Sequence, residues 1–595
     1  MKLPQFIRQS ADGANAFLKG AVPSPYDAAG NLRTNVRVIQ MPNGDVIEKK
    51  FDGPVPAGWR PQIGEIMGAE LLNDEEHVNH VGDPLAEYTL SIPLRNWSSD
   101  MADNRYLLTL GDAYLGVLAV ALPGAGKTSA IGPMAIMPLL RLGCGGLVLA
   151  AKVEDIADWI KWAKECGREE DLIIFSPASG HRFNFLEYTA LASRRSSATG
   201  TVNIADLVNI VDELCELVSR QQGKRDHDFW MKSGLVVLKY AFVLAELCNE
   251  LNLDFIEAIV DSCPSSLKEA QSPTYQSDRS KACARAMLDA TAAVELMTGA
   301  AQQTKARELE RARRFWLNSF PRQPDDTRGS IIATLQMLVS NLGDDPLYSL
   351  FLSGSSTVTP DDIIVRDRTP DADGKPKRAK IVIVGLPVHD DPLLGRIANG
   401  ILKSAVQKAA VGRATAKNDD SFIPAFIYAD EAQLFALKSD PSFQAVCRSY
   451  RIVNIALTQT LISNIVEYGG DASAENTVRA YFSLLQTKIF GRNDEPKTIE
   501  FIQEAVVGKG YVDVASSNLS LGGALLSGGG IEGASLSSGS AQQLAVRILH
   551  EEIATLRTGG AANDYNVDVI VSSCGHKLPG GKTWFKYTIN QKTQF

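Results

Sequence analysis

The chain has 595 residues, which is too long for one hydrophobic core and enough for two or three domains. Hydrophobic residues make up 45% and charged residues 22%, so the composition excludes a chain that is disordered throughout. The formal net charge of −9 argues against an outer surface that coats DNA, so any contact with nucleic acid is expected in a local patch or an internal channel.

The cysteines, the histidines and the N-terminal residues exclude several other classes of protein. Eight cysteines are scattered with no Cys-x-x-Cys pair, and seven histidines form no metal-binding pattern. The N-terminal residues have no apolar core of the signal-peptide type, and no stretch predicts a transmembrane helix. We therefore expect a cytoplasmic protein with no membrane span of its own.

The predicted elements begin after an N-terminal region, residues 1–95, in which no motif indicates a function. Beyond it, short apolar runs alternate with a loop and helices, which is the order of a parallel α/β sheet. Buried strands are predicted at residues 114–120, 145–151 and 171–177, with a helix at 129–142.

A helical region is predicted next. From about residue 200 to 320, apolar residues recur at helical spacing and strand patterns are absent, which predicts an inserted all-α module. Strand patterns then return and end in polar residues, as they do where open α/β sheets bind ligands. These later strands are predicted at residues 379–388, 422–432, 451–460 and 487–494.

The sequence ALPGAGKTS, residues 121–129, is the strongest motif. It matches the phosphate-loop pattern GxxxxGK[ST] except that Ala121 stands at the first glycine position. A strand before it and a helix after it favour phosphate binding over a turn of small residues with an incidental lysine. Lys127 is expected at the terminal phosphates, and the Thr128 hydroxyl at Mg²⁺. The predicted nucleotide-binding residues are Pro123, Gly124, Ala125, Gly126, Lys127, Thr128 and Ser129.

Two adjacent carboxylates and one amide follow the later strands. Asp430 and Glu431 end the apolar run FIYA, and we expect Asp430 to hold Mg²⁺ and Glu431 to orient the attacking water. Gln459 ends the next strand, where an amide can touch both the γ-phosphate and the water. The alternatives are an acidic solvent turn for the carboxylates and a capping residue for Gln459.

The segments GAGKTS, IYADEAQ, RIVNIALTQT and TKIFGRNDEPKT, in this order, resemble the TraG/TraD-type conjugative coupling ATPases of type IV secretion, which belong to the FtsK/HerA-like RecA-fold motors. FSPASGHRFNFLEY, DDTRGSIIATLQMLVSNLGDDPLYSLF and VRILHEEIATLRTG are similar to further segments of that family. The resemblance spans residues 105–580. It implies ATP and Mg²⁺ as ligands and a homo-oligomer, a hexameric ring.

In this family each ATP lies between two subunits, and an arginine from the neighbour completes the site. Arg448 is the best match by position in the motif series, Arg451 is the second and Arg492 the third, with a surface ion pair as the alternative for each. Family members usually carry N-terminal membrane helices, which this sequence does not predict. The resemblance therefore leaves open a soluble branch, a partner that holds the protein at the inner face of the membrane, or service in another system.

A basic stripe in the helical region is the candidate for DNA contact. Arg307, Arg311 and Arg314 share one face of a predicted helix that also contains Lys305. Nearby Glu308 and Glu310 favour the alternative, an ordinary solvated face. The family's all-α domain is associated with substrate recognition, which keeps the DNA-binding hypothesis open.

The predicted fold is α/β, a RecA-like P-loop nucleotide-binding domain with a parallel-rich sheet and an inserted all-α domain. The predicted function is ATP-driven transfer of DNA or nucleoprotein to a type IV secretion channel, with relaxosome or channel proteins as partners. A soluble DNA translocase in packaging, segregation or defence is one alternative, and an ATP-binding adaptor for protein substrates is another. The expected divisions are an N-terminal region (1–95), the ATPase domain (96–195 and 326–515), the all-α insertion (196–325), a Gly/Ser-rich loop or linker (516–541) and a closing helix and strand (542–595).

Overall fold

A ten-stranded sheet forms the centre of the molecule in this computed structural model. The structure describes residues 6–8, 36–40, 46–50, 89–91, 95–96, 107–222, 228–365, 377–413, 422–521, 534–573 and 583–592. In chain order the strands of the sheet are β1 (Arg95–Asn96), β2 (Val117–Val120), β3 (Gly145–Leu149), β4 (Leu172–Phe175), β5 (Ile381–Val384), β6 (Ala425–Ala429), β7 (Ile452–Thr458), β8 (Thr487–Phe490), β9 (Asn566–Ser573) and β10 (Trp584–Asn590).

The strand order across the sheet is β1-β10-β9-β8-β2-β7-β6-β3-β5-β4. The seven strands from β8 to β4 are parallel. On the other side of β8, β9 is antiparallel to β8, β10 to β9, and β1 to β10. This arrangement confirms the predicted α/β class with a parallel-rich sheet. It also brings the carboxyl ends of β2, β7 and β6 to one edge, where the sequence places its phosphate loop, amide and acidic pair.

Helices cover both faces of the sheet, which is why most positions of the parallel strands are apolar. Val117 and Ala119 of β2 point into one core, which includes Met134 of the helix that follows the phosphate loop. Leu118 and Val120 point into the opposite core, with Phe482 of the helix Ala472–Leu484. Alternate residues of the central strand are thus anchored on opposite faces, so a one-residue shift in register would exchange the two sets.

The helices of this part of the chain lie between the strands and at their ends. The helix after the phosphate loop begins with a wide turn, Lys127–Ile131, and continues as Gly132–Arg141. The others are Leu110–Ala113, Val153–Glu165, Phe185–Ser196, Pro392–Val411, Asp440–Gln444, Leu461–Glu467, Ala472–Leu484, Pro496–Glu500, Phe501–Val507 and His550–Ala554, with short turns at Glu169–Asp171, Pro177–Ser179, Ala432–Phe435, Cys447–Tyr450 and Ala561–Asn563.

The region between β4 and β5 is helical, and no strand occurs in its described residues, 177–222, 228–365 and 377–380. The helices continue beyond residue 325, where the all-α insertion was expected to end. Their bounds are Ile204–Gln222, Asp228–Leu247, Leu253–Asp261, Leu267–Ala270, Pro273–Ser277, Ala282–Leu296, Gly299–Arg314, Phe315–Ser319, Asp325–Gly343, Leu347–Phe351 and Pro360–Ile363.

The helical region is joined to the sheet through a close helix pair. Ile204–Gln222 packs on Pro392–Val411, and the two helices approach closely at Gly400, where a Cβ atom would lie 2.3 Å from Cδ1 of Leu217. Any larger residue at position 400 would push the two helices apart. Both helices contribute to one continuous hydrophobic core with β3, β5 and β6.

Two expectations about the C-terminal part of the chain need correction. Lys509–Leu521 pairs with Ala534–Val546 as two antiparallel strands, so the loop or linker expected at 516–541 is wrong for residues 516–521 and 534–541, and residues 522–533 of that prediction lie outside the described residues. A backbone ladder pairs N–H and C=O groups whatever the side chains, which is why Gly/Ser content misled the prediction. A second closing strand, β10, was missed.

Smaller sheets were also missed in the N-terminal region. Phe6–Arg8, Val46–Lys50 and Val36–Gln40 form one sheet, and Thr89–Ser91 pairs with Leu107–Thr109. Within the described residues, no helix has the length and apolar character needed to cross a bilayer.

Candidate active site

The phosphate loop leaves the centre of the sheet between β2 and the helix that begins at Lys127. The Ala121 N–H donates to the Thr458 carbonyl and the Leu122 N–H donates to the Arg492 carbonyl, each at 3.1 Å. These bonds continue the pairing of β2 with β7 and β8 on either side. The start of the loop is therefore fixed to both neighbouring strands.

Glycines shape the loop where the motif requires them. Gly124 and Gly126 have φ values of +72° and +82°, in the left-handed region that side chains rarely adopt. Ala121, the departure from the usual motif, is fully buried and faces Gly491, where a Cβ atom would lie only 2.9 Å from its own Cβ. The glycine that follows β8 thus makes the room that a glycine at position 121 of the loop would otherwise provide.

The acidic pair lies against the first turn of the phosphate-loop helix. Thr128 Oγ1 donates to Asp430 Oδ2, although the two residues are 302 positions apart in the chain. Lys127 Nζ lies 3.5 Å from Glu431 Oε1, and both side chains are buried. The phosphate-loop motif and the acidic pair are therefore in direct contact, although the helical insertion separates them in the chain.

The donor set around Thr128 and Asp430 suits Mg²⁺. A hydroxyl and one carboxylate are hard oxygen ligands, and Mg²⁺ usually takes one or two carboxylates together with water and substrate phosphates. The described residues contain no cluster of three or more His, Cys, Asp or Glu side chains of metal-binding geometry, so an all-protein cage is not built here.

Two amides hold the second carboxylate. Gln459 Nε2 and Gln433 Nε2 donate to Oε2 of Glu431 at 2.7 and 2.6 Å. Gln433 Oε1 in turn accepts from Thr458 Oγ1 at 2.7 Å. Glu431 has a φ of +61°, a left-handed conformation that costs about 1–3 kcal/mol and is common where function fixes a side chain.

The two carboxylates differ in their electrostatic surroundings. Burial raises the pKa of Asp430 above its ordinary value, by more than the nearby Lys127 charge and the Thr128 hydroxyl lower it. Burial also acts on Glu431, but the Lys127 charge and the two amides outweigh it and lower its pKa. Glu431 is therefore ionised at neutral pH, as an acceptor for a water proton must be.

Sequence reasoning missed the contribution of β3. Asp155 Oδ2 accepts the N–H groups of Ala151 and Lys152 at 3.1 and 2.9 Å just beyond the strand. Burial raises the pKa of Asp155 to about 6, and the negative charge of Asp430 adds to the effect. The Lys152 charge in turn contributes to the lowered pKa of Glu431. Polar residues that follow a buried strand were the signal that could have indicated Lys152 and Asp155.

The three candidate arginines lie in different places. Arg448 is in the turn Cys447–Tyr450 before β7, at the end of that strand away from Gln459. Arg451 is buried with its guanidinium 5.8 Å from the Phe422 ring centroid, which is a packing role. Arg492 is exposed beside the phosphate loop of the same chain. Arg448 is therefore not brought to its own phosphate loop.

The basic stripe of the helical region is exposed on the helix Gly299–Arg314. Arg307, Arg311 and Arg314 all lie at the surface. Lys305 is buried instead, with its Nζ 2.8 Å from Glu308 and 3.1 Å from Glu246. We expected Glu308 to be a neighbour that would neutralise the stripe, but Glu308 forms an ion pair with Lys305.

Comparisons with known proteins give structural neighbours only. No protein-family model and no curated protein matches the chain. A bacterial conjugative coupling protein, TrwB, in an unbound form is similar at 12% identity, with 82% of this chain and 87% of that chain covered and a TM-score of 0.49. The same protein with an ATP analogue is similar at 12% identity, with 85% of this chain and 95% of that chain covered and a TM-score of 0.49. VirB4 of Thermoanaerobacter pseudethanolicus is similar at 12% identity, with 70% of this chain and 87% of that chain covered and a TM-score of 0.36.

Proposed function

We propose that the protein is an ATPase whose hydrolysis drives the movement of DNA, in the manner of a conjugative coupling protein. The observation that carries the proposal is the gathering of Lys127, Thr128, Asp430, Glu431 and Gln459 at one edge of the sheet. Phosphoryl transfer to water needs a phosphate cradle, a metal ligand and a positioned nucleophile, and these residues supply all three.

The chemistry assigned to the chain follows from this geometry. Backbone amides of the loop and Lys127 bind the β- and γ-phosphates, and Thr128 and Asp430 would hold Mg²⁺, which neutralises charge on the leaving phosphates. Glu431 orients a water in line with the γ-phosphorus and accepts its proton as the new P–O bond forms. The bond to the β–γ bridging oxygen breaks, giving ADP and inorganic phosphate.

Gln459 is suited to report the state of the site. Its amide already contacts Glu431, and an incoming γ-phosphate would compete for the same donor. The helix Leu461–Glu467 begins two residues later, so a change at Gln459 would be transmitted to the surface of the motor domain.

Arg448 is assigned to the active site of a neighbouring subunit in a homohexameric ring. Its position at the far end of β7 prevents it from serving its own phosphate loop, which supports action in trans. Mixing Lys127→Ala and Arg448→Ala subunits tests this, since each inactive variant retains what the other lacks. Partial recovery of hydrolysis in the mixture supports the assignment, and an active Arg448→Ala protein overturns it.

DNA is the proposed substrate, contacted by Arg307, Arg311 and Arg314 on the helical region. The three arginines form an exposed basic stripe on a chain of formal charge −9, and of these Arg314 also lies 4.0 Å from the exposed Glu310. Delivery of DNA or nucleoprotein to a type IV secretion channel, with relaxosome or channel proteins as partners, follows from the resemblance of the motif series. Stimulation of ATP hydrolysis by DNA is the experiment that tests the proposal, and it also separates a DNA motor from an adaptor for protein substrates.

A further inference from the structure

The end of the last strand reaches the phosphate loop on the side away from the acidic pair. Gln591, the residue after β10, donates from Nε2 to Ser129 Oγ across 2.6 Å. Its Oε1 accepts the N–H of Gly560 at 2.9 Å. One side chain therefore bridges the phosphate-loop helix and the turn that precedes β9.

The turn before β9 is shaped around Gln591. Gly559 and Gly560 have φ values of +83° and +74°, and a Cβ atom at Gly559 would lie 2.5 Å from Gln591 Oε1. A Cβ atom at Gly126 would likewise lie 2.7 Å from the Val567 side chain. The phosphate loop and the C-terminal strands are thus in close contact at two points.

An aromatic ring and a lysine lie beside this bridge. The Gln591 N–H donates to the Tyr565 carbonyl at 2.9 Å, and Lys592 Nζ lies 3.5 Å from the Tyr565 ring centroid. Tyr565 has a φ of +60°, which a non-glycine residue keeps only where its surroundings enforce it. Its side chain is half-buried, and Lys592 is exposed.

We infer that Tyr565, Gln591 and Lys592 form the nucleoside end of the nucleotide site. The inference rests on the proposed function, because it takes Lys127 as the residue at the terminal phosphates. A triphosphate held there extends over the next helical turn, past Ser129, and carries its nucleoside toward Gln591. Lys592 covers one face of the Tyr565 ring, so the opposite face is assigned to the base, and Gln591 and Lys592 offer donors to the ribose and the α-phosphate.

The chemistry of this subsite predicts weak discrimination among bases. A ring face accepts any base, and Gln591 and Lys592 are assigned to the ribose and the α-phosphate, so no side chain of the subsite reads a base edge. ATP and GTP are therefore expected to bind with similar affinity. The subsite contributes affinity only for ligands that carry a nucleoside.

Competition of ATP, GTP and inorganic tripolyphosphate against a fluorescent ATP analogue tests the inference on the full chain. Tyr565→Ala is expected to weaken ATP and GTP about tenfold, from the loss of base stacking, and to leave tripolyphosphate unchanged. Tyr565→Phe retains the ring and is expected to bind all three ligands as the unmodified protein does. Gln591→Ala is expected to follow Tyr565→Ala.

The outcomes that contradict the inference are distinct from failure of the proposed function. If Tyr565→Ala binds ATP as the unmodified protein does, or loses tripolyphosphate to the same extent, the subsite is not where the nucleoside lies. If the unmodified protein binds neither ATP nor tripolyphosphate, the phosphate-loop assignment itself fails. Lys127→Ala is the reference variant, since it is expected to lose both ligands.

Discussion

The side-chain amide of Gln459 donates a 2.7 Å hydrogen bond to Oε2 of Glu431 and so joins the tips of two adjacent strands. Glu431 Oε1 faces Lys127, 3.5 Å away, on the other side. The carboxylate therefore lies between the residue proposed to bind phosphate and the residue proposed to sense it. In the proposed function, hydrolysis and its read-out would share one side chain.

Replacing Gln459 by alanine is expected to lower kcat about tenfold while ATP binding is unchanged. The loss corresponds to one hydrogen bond to a charged group, which no longer orients Glu431. Steady-state hydrolysis and the Kd for ATP separate the two effects. A variant that loses ATP affinity, but not turnover at saturation, would contradict this role.

Gly491→Ala is expected to distort the phosphate loop, because its Cβ would lie 2.9 Å from the Cβ of Ala121. Loss of ATP affinity is the measurable result. The double variant Ala121→Gly/Gly491→Ala removes the clash and is expected to recover binding. If the double variant binds ATP no better than Gly491→Ala alone, the proposed steric compensation between positions 121 and 491 is wrong.

Lys403→Met is expected to destabilise the domain built on the ten-stranded sheet. Lys403 Nζ donates to Asp440 Oδ2 at 2.7 Å and to the Phe435 carbonyl at 2.8 Å, all in the interior. Gln407 and the Leu437 N–H would still donate to Asp440, but its carboxylate would be buried without a cation. Such a loss costs about 3–5 kcal/mol, so the midpoint of thermal unfolding should fall.

Lys438→Met is the matched control, since its pair with Glu216 is exposed at Lys438 and is worth less than about 1 kcal/mol. Equal midpoints for the two variants would refute the expectation.

Charge removal from the basic stripe is expected to weaken DNA binding without changing hydrolysis in the absence of DNA. Each of Arg307→Ala, Arg311→Ala and Arg314→Ala removes one cation that can bind a phosphate, so each should reduce the slope of log affinity against log salt by about one. Fluorescence anisotropy at several salt concentrations measures the slope. Arg279→Ala, at an exposed pair with Asp289 in the same region, is the control. If a variant that combines the three substitutions shows an unchanged slope of log affinity against log salt, the stripe is not the DNA-binding surface.

Much of the arrangement around the site could be predicted because it depends on local patterns. Lys127 follows β2 and Asp430 follows β6, and parallel strands bring their carboxyl ends to one edge whatever lies between them in the chain. Gln433 could not be found in this way, since it reaches Glu431 only through the path that the chain takes after β6 ends.

The C-terminal contribution to the site was beyond sequence reasoning for a different reason. Gln591 meets Ser129 because β9 and β10 add to the sheet beside β8, and no pattern in a single sequence specifies such long-range pairing. The pairing of Lys509–Leu521 with Ala534–Val546 was missed because backbone pairing overrides a Gly/Ser-rich composition. Element type was therefore easier to predict than the partners of each element.

The rate of ATP hydrolysis by the full chain, with and without single- and double-stranded DNA, tests the central proposal most directly. We expect DNA to raise the rate several-fold and Glu431→Gln to reduce it at least about a hundredfold, since the positioned water is lost. Glu551→Gln, an exposed glutamate far along the chain, should behave as the unmodified protein. Hydrolysis that DNA leaves unchanged would contradict a DNA motor and favour an adaptor for protein substrates, and full turnover by Glu431→Gln would contradict the site itself.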